Sequence, residues 1–276
     1  MNAVTLQDLT KHFPAFTLDS ISFSVPAGSV MGMIGENGAG KSTTIKLILG
    51  LLSPDAGTVT IFGSSGAPDR EHIGVVFDEC CFPDTLSAQD IDRILGMSYR
   101  TWSHKAFADY LARFSLPYRK AIKSYSRGMK MKLSIACALS HDSRLLVLDE
   151  PTSGLDPVVR DEILDIFYDF MQDETHAILI SSHITSDLEK ICDYVCFLHR
   201  GSLALCGEKD DLLTRFGVLH CDEKTLAALE PAAIYGVRRG QYQIQALVEL
   251  DKVPQDLALE PVKLEDILLF LAKKEA

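Results

Sequence analysis

The sequence predicts an α/β fold: a parallel sheet flanked by helices, with a helical insertion near its middle. Three observations carry this. The almost wholly apolar runs at residues 29–34, 145–148 and 177–181 have the profile of strands buried on both faces. An amphipathic stretch at residues 158–171, with helical periodicity, separates the last two. A glycine-rich turn joins the first run directly to a helix start.

In chain order, residues 4–9 and 16–25 read as strands, the second with rough alternation, and residues 29–34 as a buried strand ending in Gly35-Glu36-Asn37-Gly38-Ala39-Gly40. A helix follows over residues 41–52, stopped by Ser53-Pro54-Asp55, and residues 58–62 and 73–77 are further strands. From residue 84 to about 124 the pattern turns helical. Ile91, Ile94 and Leu95, then Phe107, Tyr110, Leu111 and Phe114, recur at three-to-four spacing. Another helix runs from Gly128 to about Leu139, so the insertion spans roughly residues 84–140. Beyond Arg215 the pattern weakens into strands and turns punctuated by Glu230-Pro231 and Val253-Pro254, and residues 264–274 close the chain as an amphipathic helix.

At 276 residues the chain is long enough for one or two domains with a sizeable core. Its 47% apolar and 24% charged shares exclude disorder, collagen and a coiled-coil rod. The formal charge of −11 argues against a whole-protein nucleic-acid binder. Seven cysteines, odd in number and scattered through apolar runs, fit reduced core thiols rather than a disulfide framework. Cys192 and Cys196 sit four apart, but no His or Cys pair elsewhere completes a zinc pattern. Residues 1–20 carry no apolar signal region, and no window reaches the ~18 apolar residues of a spanning helix. The expectation is a cytoplasmic chain that acts at a membrane only through a partner.

Gly35-x4-Gly40-Lys41-Ser42 is a phosphate-binding loop in the context it requires, between a buried strand and a helix start. Its glycines let backbone N–H groups converge on phosphate oxygens, and the helix N-terminus adds its unpaired donors. Lys41 is expected to reach the β- and γ-phosphates, Ser42 to ligate Mg²⁺, and Thr43 to add an α-phosphate contact. The run at residues 145–148 delivers Asp149 and Glu150 at the C-terminal end of a parallel strand, where ligands sit in open α/β sheets. Asp149 suits a position behind Mg²⁺, and Glu150 suits the polarisation of an attacking water.

Three segments now make a resemblance. Residues 35–43, residues 149–157 (Asp-Glu-Pro-Thr-Ser-Gly-Leu-Asp-Pro) and Ser181-Ser182-His183 resemble the Walker A, Walker B with D-loop, and H-loop of an ABC transporter ATPase subunit, in family order over roughly residues 1–215. The resemblance implies a P-loop NTPase parallel sheet with an antiparallel β subdomain, the helical insertion, and a small C-terminal α/β tail. It implies a head-to-tail dimer, of like or unlike subunits, that sandwiches two ATP molecules. Each ATP lies between one subunit's P-loop (Gly35, Asn37, Gly38, Ala39, Gly40, Lys41, Ser42 and Thr43) and the other's signature. Glu150 is then the general base, His183 contacts the γ-phosphate, and Asp156 links the two sites. The partners implied are a polytopic permease, docked in a groove near residues 78–102, and a second ATPase subunit, with no nucleic acid. The chain would lie peripherally on the cytoplasmic face of the membrane.

Two segments depart from the family pattern. Where the signature reads Leu-Ser-Gly-Gly-Gln, this chain has Tyr125-Ser126-Arg127-Gly128-Met129. Ser126 and Gly128 keep the hydroxyl and one close backbone approach, and Arg127 makes this either a weakly active site or a tolerated variant. Where glutamine follows the strand at residues 73–77, Asp78-Glu79 stands instead; Asp78 can still reach Mg²⁺ or its water but, when ionised, donates no hydrogen bond. For adenine the best match is Phe13, with Phe16 in reserve; a plain core Phe is the other reading. The acidic Q-loop and variant signature resemble type-2 ABC exporters of Gram-positive bacteria, including groups that move bacitracin-like antibiotics, lantibiotics and peptide toxins such as phenol-soluble modulins. Residues 263–267 are similar to the regulatory tail many of them carry, so residues 1–215 read as the ATPase domain and 216–276 as a small accessory region. The alternative, a soluble ABC ATPase working on the ribosome or chromosomes, would show two cassettes or long heptads, and neither is present. A simple P-loop kinase would leave His183 and the signature without a role. One local feature stands out: between residues 99 and 132, nine basic residues face one acid, Asp109, making either a docking face or a solvated helical surface.

Overall fold

The computed structural model describes residues 1–66, 68–240 and 243–272. The chain runs β1 (Asn2–Phe13), β2 (Phe16–Pro26), β3 (Val30–Ile34), α1 (Lys41–Ile48), β4 (Ala56–Ile61), β5 (Ser64–Ser65) and β6 (Ile73–Val76). Then come α2 (Ala88–Ser98), α3 (His104–Arg113), α4 (Arg127–Ala138), β7 (Leu145–Asp149), α5 (Pro157–Phe170), β8 (Ala177–Ser182), α6 (Thr185–Ile191), β9 (Tyr194–His199) and β10 (Ser202–Glu208). The last part holds α7 (Lys209–Arg215), β11 (Phe216–Cys221), α8 (Glu223–Ala228), β12 (Ile234–Arg239), β13 (Ile244–Glu249), β14 (Leu259–Pro261) and α9 (Leu264–Ala272).

The strands form three sheets. The central one has the order β10-β9-β3-β8-β7-β6, parallel except where β10 turns back along β9. Strands β3, β7 and β8 are buried at every residue, which is why they read as unbroken apolar runs. One face packs against α2 to α5 through Phe107, Leu133, Ile163 and Phe167. The other packs, with α1, against an antiparallel sheet of order β2-β1-β4-β5 through Leu6, Leu9, Leu18 and Ile21. The C-terminal antiparallel sheet, order β12-β13-β11-β14, shares the first core through Phe216, Leu247 and Phe270 and keeps a smaller one around Leu219, Ala246 and Val248.

The elements read from the sequence up to residue 181 keep their identity, and their boundaries move. The helix expected over residues 41–52 ends at Ile48, because Gly50 takes φ +65° and the N–H groups of Leu51 and Leu52 turn back to the Lys46 carbonyl. The helical stretch of residues 84–124 resolves into α2 and α3, each started by a serine cap, Ser87 and Ser103. The closing helix is described to Ala272, and its expected end at Lys274 lies outside the described residues. All seven cysteines are free thiols, and burial pushes those of Cys137, Cys192 and Cys196 up.

Candidate functional site

The turn from β3 to α1 needs its glycines. A Cβ on Gly35 would sit 2.5 Å from the Leu198 carbonyl oxygen, and one on Gly40, at φ +114°, would sit 2.8 Å from Leu18 Cδ1. Gly38, at φ +83°, would meet nothing within 4 Å, so its backbone faces open space. Ala39 is buried, and its carbonyl accepts a 3.1 Å hydrogen bond from the Gly201 N–H, which ties the loop to the β9–β10 turn. No side chain caps α1, so the N–H groups of its first turn and the positive end of its dipole face the same cleft. That arrangement is an anion cradle.

Lys41 is buried at the mouth of this cradle. Its Nζ donates to the Gly35 carbonyl at 2.7 Å and lies 3.4 Å from the Glu36 carbonyl and 3.3 Å from Glu150 Oε1. The cleft has a volume of about 600 Å³ and is lined by Asn37, Gly38, Gly40, Lys41, Ser42 and Thr43, by Phe16, and by the carboxylates Asp78, Asp149 and Glu150.

The carboxylates at the end of β7 are held by β8. Ser181 Oγ donates to Asp149 Oδ1 at 2.5 Å, and the Glu150 N–H donates to the Ser181 carbonyl at 3.1 Å. Glu150 takes φ +52°, a left-handed conformation that is strained for a non-glycine residue. Its Oε2 lies 2.6 Å from His183 Nδ1 and accepts from the His183 N–H at 3.3 Å. Its Oε1 is buried and has no hydrogen-bond partner, although the Lys41 ammonium is close by. A carboxylate with one oxygen fixed by His183 and the other paired only with the Lys41 ammonium, beside a phosphate cradle, can accept a proton from water placed there.

The donor set fits a nucleoside triphosphate with a hard divalent cation. Ser42, Asp149 and Asp78 line the cleft and offer one hydroxyl and two carboxylates. Among the described residues no cluster of three or more His, Cys, Asp or Glu forms a metal cage of its own. One hydroxyl and two carboxylates suit a Mg²⁺ ion, which takes one or two carboxylates and completes its shell with waters and phosphates.

The ABC transporter family profile matches residues 18–153, from β2 through the Asp149-Glu150 pair. The linearmycin resistance ATP-binding protein LnrL of Bacillus subtilis (strain 168) is 33% identical over 227 residues, covering 79% of this chain and 73% of the relative. The lantibiotic transport ATP-binding protein SrtF of Streptococcus pyogenes is 35% identical over 213 residues, covering 74% and 90%. The chain belongs to the ABC transporter family. A solved ATP-binding subunit of an ABC transporter, 30% identical, superposes with a TM-score of 0.70 over 77% of this chain and 92% of its own. The protein is thus an ATP-binding and ATP-hydrolysing subunit of an ABC transporter. No helix among the described residues is long and apolar enough to cross a membrane.

In this ABC subunit the remaining candidate residues lie outside the P-loop cleft of their own chain. Ser126 caps α4, its Oγ accepting from the Met129 N–H at 3.2 Å. Gly128 follows, and a Cβ there would meet nothing closer than Val159 Cγ1 at 3.7 Å, so nothing in its own chain requires a glycine. Asp156 caps α5, accepting from the N–H groups of Val158 and Val159 at 3.1 Å each. For the aromatic position, Phe16 lines the cleft and Phe13 does not; Phe13 is partly exposed, with its ring 6.3 Å from that of Phe16.

At the start of the stretch 78–102, where a docking groove is expected, a cavity lies between the loop after β6 and the start of α4, lined by Phe77, Glu79, Phe82, Tyr125, Lys130 and Met131 among others. Trp102 is not part of it, because its indole packs on Phe107 and donates to Asp92. The basic block is also largely neutralised: Arg100, Arg113, Arg127, Lys130 and Lys132 pair with Glu71, Asp169, Asp78, Asp84 and Glu162. All five acids lie outside the block in sequence, so the local charge excess does not survive folding intact. Sequence reasoning missed the role of Ser181 and the Arg127–Asp78 pair, at 2.7 Å. The Ser-Ser-His run was the available signal for the first, and the coincidence of two departures from the family pattern for the second.

Proposed function

We propose that this chain is one half of a two-subunit ATPase engine that drives export of antibiotic-like or lantibiotic-like molecules. The relatives' printed roles in linearmycin resistance and lantibiotic transport support that substrate class. The observation that carries the dimer is the division of the site: the cradle, Lys41 and Glu150 share one cleft, while Ser126, Gly128 and Asp156 lie away from it. A head-to-tail pair supplies each cleft with the other chain's Ser126 and Gly128.

In this reading Gly35, Asn37, Gly38, Ala39 and Gly40 form the backbone cradle, and Lys41 exchanges the Gly35 carbonyl for phosphate oxygens. Thr43 adds a contact, and Phe16 forms the wall for the base. Ser42, Asp149 and Asp78 would hold Mg²⁺, which would neutralise phosphate charge. Glu150 accepts the proton of the attacking water, and His183 fixes the carboxylate and faces the γ-phosphate. Residues 1–215 make the ATPase unit, with the helical segment 84–140 beside the permease, on the cytoplasmic face of the membrane. Residues 216–276 form an accessory region.

Glu150→Gln keeps the shape of the side chain and removes its basicity. With ATP, this variant is expected to run as a stable dimer in size-exclusion chromatography with light scattering, and to lose hydrolysis by about 10²–10⁴-fold. A strictly monomeric elution with saturating ATP would remove the sandwich.

A further inference from the structure

We infer that Arg127 and Asp78 form a nucleotide-gated clasp: Asp78 releases Arg127 when nucleotide and its cation enter the cleft, and the freed guanidinium turns to the phosphates held by a second subunit. The inference rests on the reading of the cleft as the nucleotide site and of the signature as facing a second chain.

The geometry puts one carboxylate at the boundary of two spaces. Asp78 lines the P-loop cleft, and it also lines the adjoining cavity with Arg127. Arg127 Nη2 donates to Asp78 Oδ1 at 2.7 Å across the gap between α4 and the loop after β6. The same guanidinium lies over Gly154, where a Cβ would be 2.6 Å from Nη1. Gly154, at φ +67°, belongs to the turn between Glu150 and the α5 cap Asp156. Arg127 therefore touches both segments that flank the catalytic carboxylate. Its neighbour Lys130 is already committed to Asp84 at 2.6 Å, which leaves Asp78 to Arg127.

Charge makes the contact exchangeable. Both side chains are about half exposed, and an ion pair of that kind biases an equilibrium by less than about fivefold. A divalent cation beside triphosphate offers Asp78 a stronger partner, and a phosphate offers Arg127 one. Each group trades a weak partner for a strong one, so occupancy of one cleft readies the signature for the other. The two departures from the family pattern are then one device.

The test uses Glu150→Gln as parent, with Asp78→Ala, Arg127→Ala and the double variant. Without nucleotide, amide hydrogen exchange in residues 78–84 and 127–131 should rise by about two- to fivefold in either single variant and no further in the double. With ATP and EDTA, where no cation competes for Asp78, Asp78→Ala should form dimers at several-fold lower ATP than the parent, and Arg127→Ala should abolish that gain. Unchanged exchange in both single variants, or no gain from Asp78→Ala, would overturn the clasp. A parent that binds ATP but never dimerises would overturn the second-subunit half, while the nucleotide-free exchange would still decide whether the clasp exists.

Discussion

The P-loop and the signature segment both begin helices, yet their surroundings differ in kind. At the P-loop the chain crowds its own glycines: Gly35 and Gly40 are fixed by Leu198 and Leu18, and Lys41 is held by carbonyls of the same loop. At the signature the chain leaves room: Gly128 has no own-chain neighbour closer than ordinary contact distance. The first region is complete as a fold and waits only for an anion. The second has a glycine that its own chain does not require, which fits the proposal that a second subunit approaches there.

Alanine substitutions separate the two. Gly35→Ala drives a Cβ into a backbone carbonyl and should cost about 1–3 kcal/mol, visible as a loss of thermal stability and of ATP binding. Gly128→Ala should do the reverse to the monomer, raising its stability by up to about 0.5 kcal/mol because alanine is the better helix former, while weakening ATP-driven dimerisation. If Gly128→Ala dimerised as the parent does, the contrast between the two segments would lose its meaning. A smaller effect concerns the C-terminal sheet. Glu249 receives Arg215 at 2.7 Å and Lys252 at 2.6 Å, and these partners hold its carboxyl down from 4.5 to about 2. A depressed carboxyl stabilises the fold above its unfolded value and loses that contribution as pH falls through the folded one. The stability difference between the protein and Glu249→Gln should therefore be largest near neutral pH and shrink between about pH 4.5 and pH 2. A pH-independent difference would dissociate it from this ion pair.

The legible parts of the site were those written contiguously. The P-loop, Asp149-Glu150 and Ser181-Ser182-His183 each sit where a parallel strand ends, so local pattern alone placed them at one edge of the sheet. What sequence could not supply were pairings across distance. Arg127 and Asp78 are 49 residues apart and meet only because α4 packs beside β6. The acids that neutralise the basic block come from five separate places, which no window over residues 99–132 contains. Phe13 and Phe16 flank one hairpin turn, and which of them borders the cleft depends on how that turn leans. The C-terminal strands are short and mixed in polarity, so their sheet order was not readable from periodicity.

The central claim, that each ATP site is built from two chains, is tested most directly by mixing two inactive variants. Lys41→Ala disables a P-loop, and Gly128→Asp places a charge on the signature. Mixed dimers would contain one fully damaged site and one intact site, so free exchange should restore phosphate release to about a quarter of the unmodified rate. If the mixture stays as inactive as either variant alone, while size-exclusion chromatography shows that both are folded, the site does not span two chains.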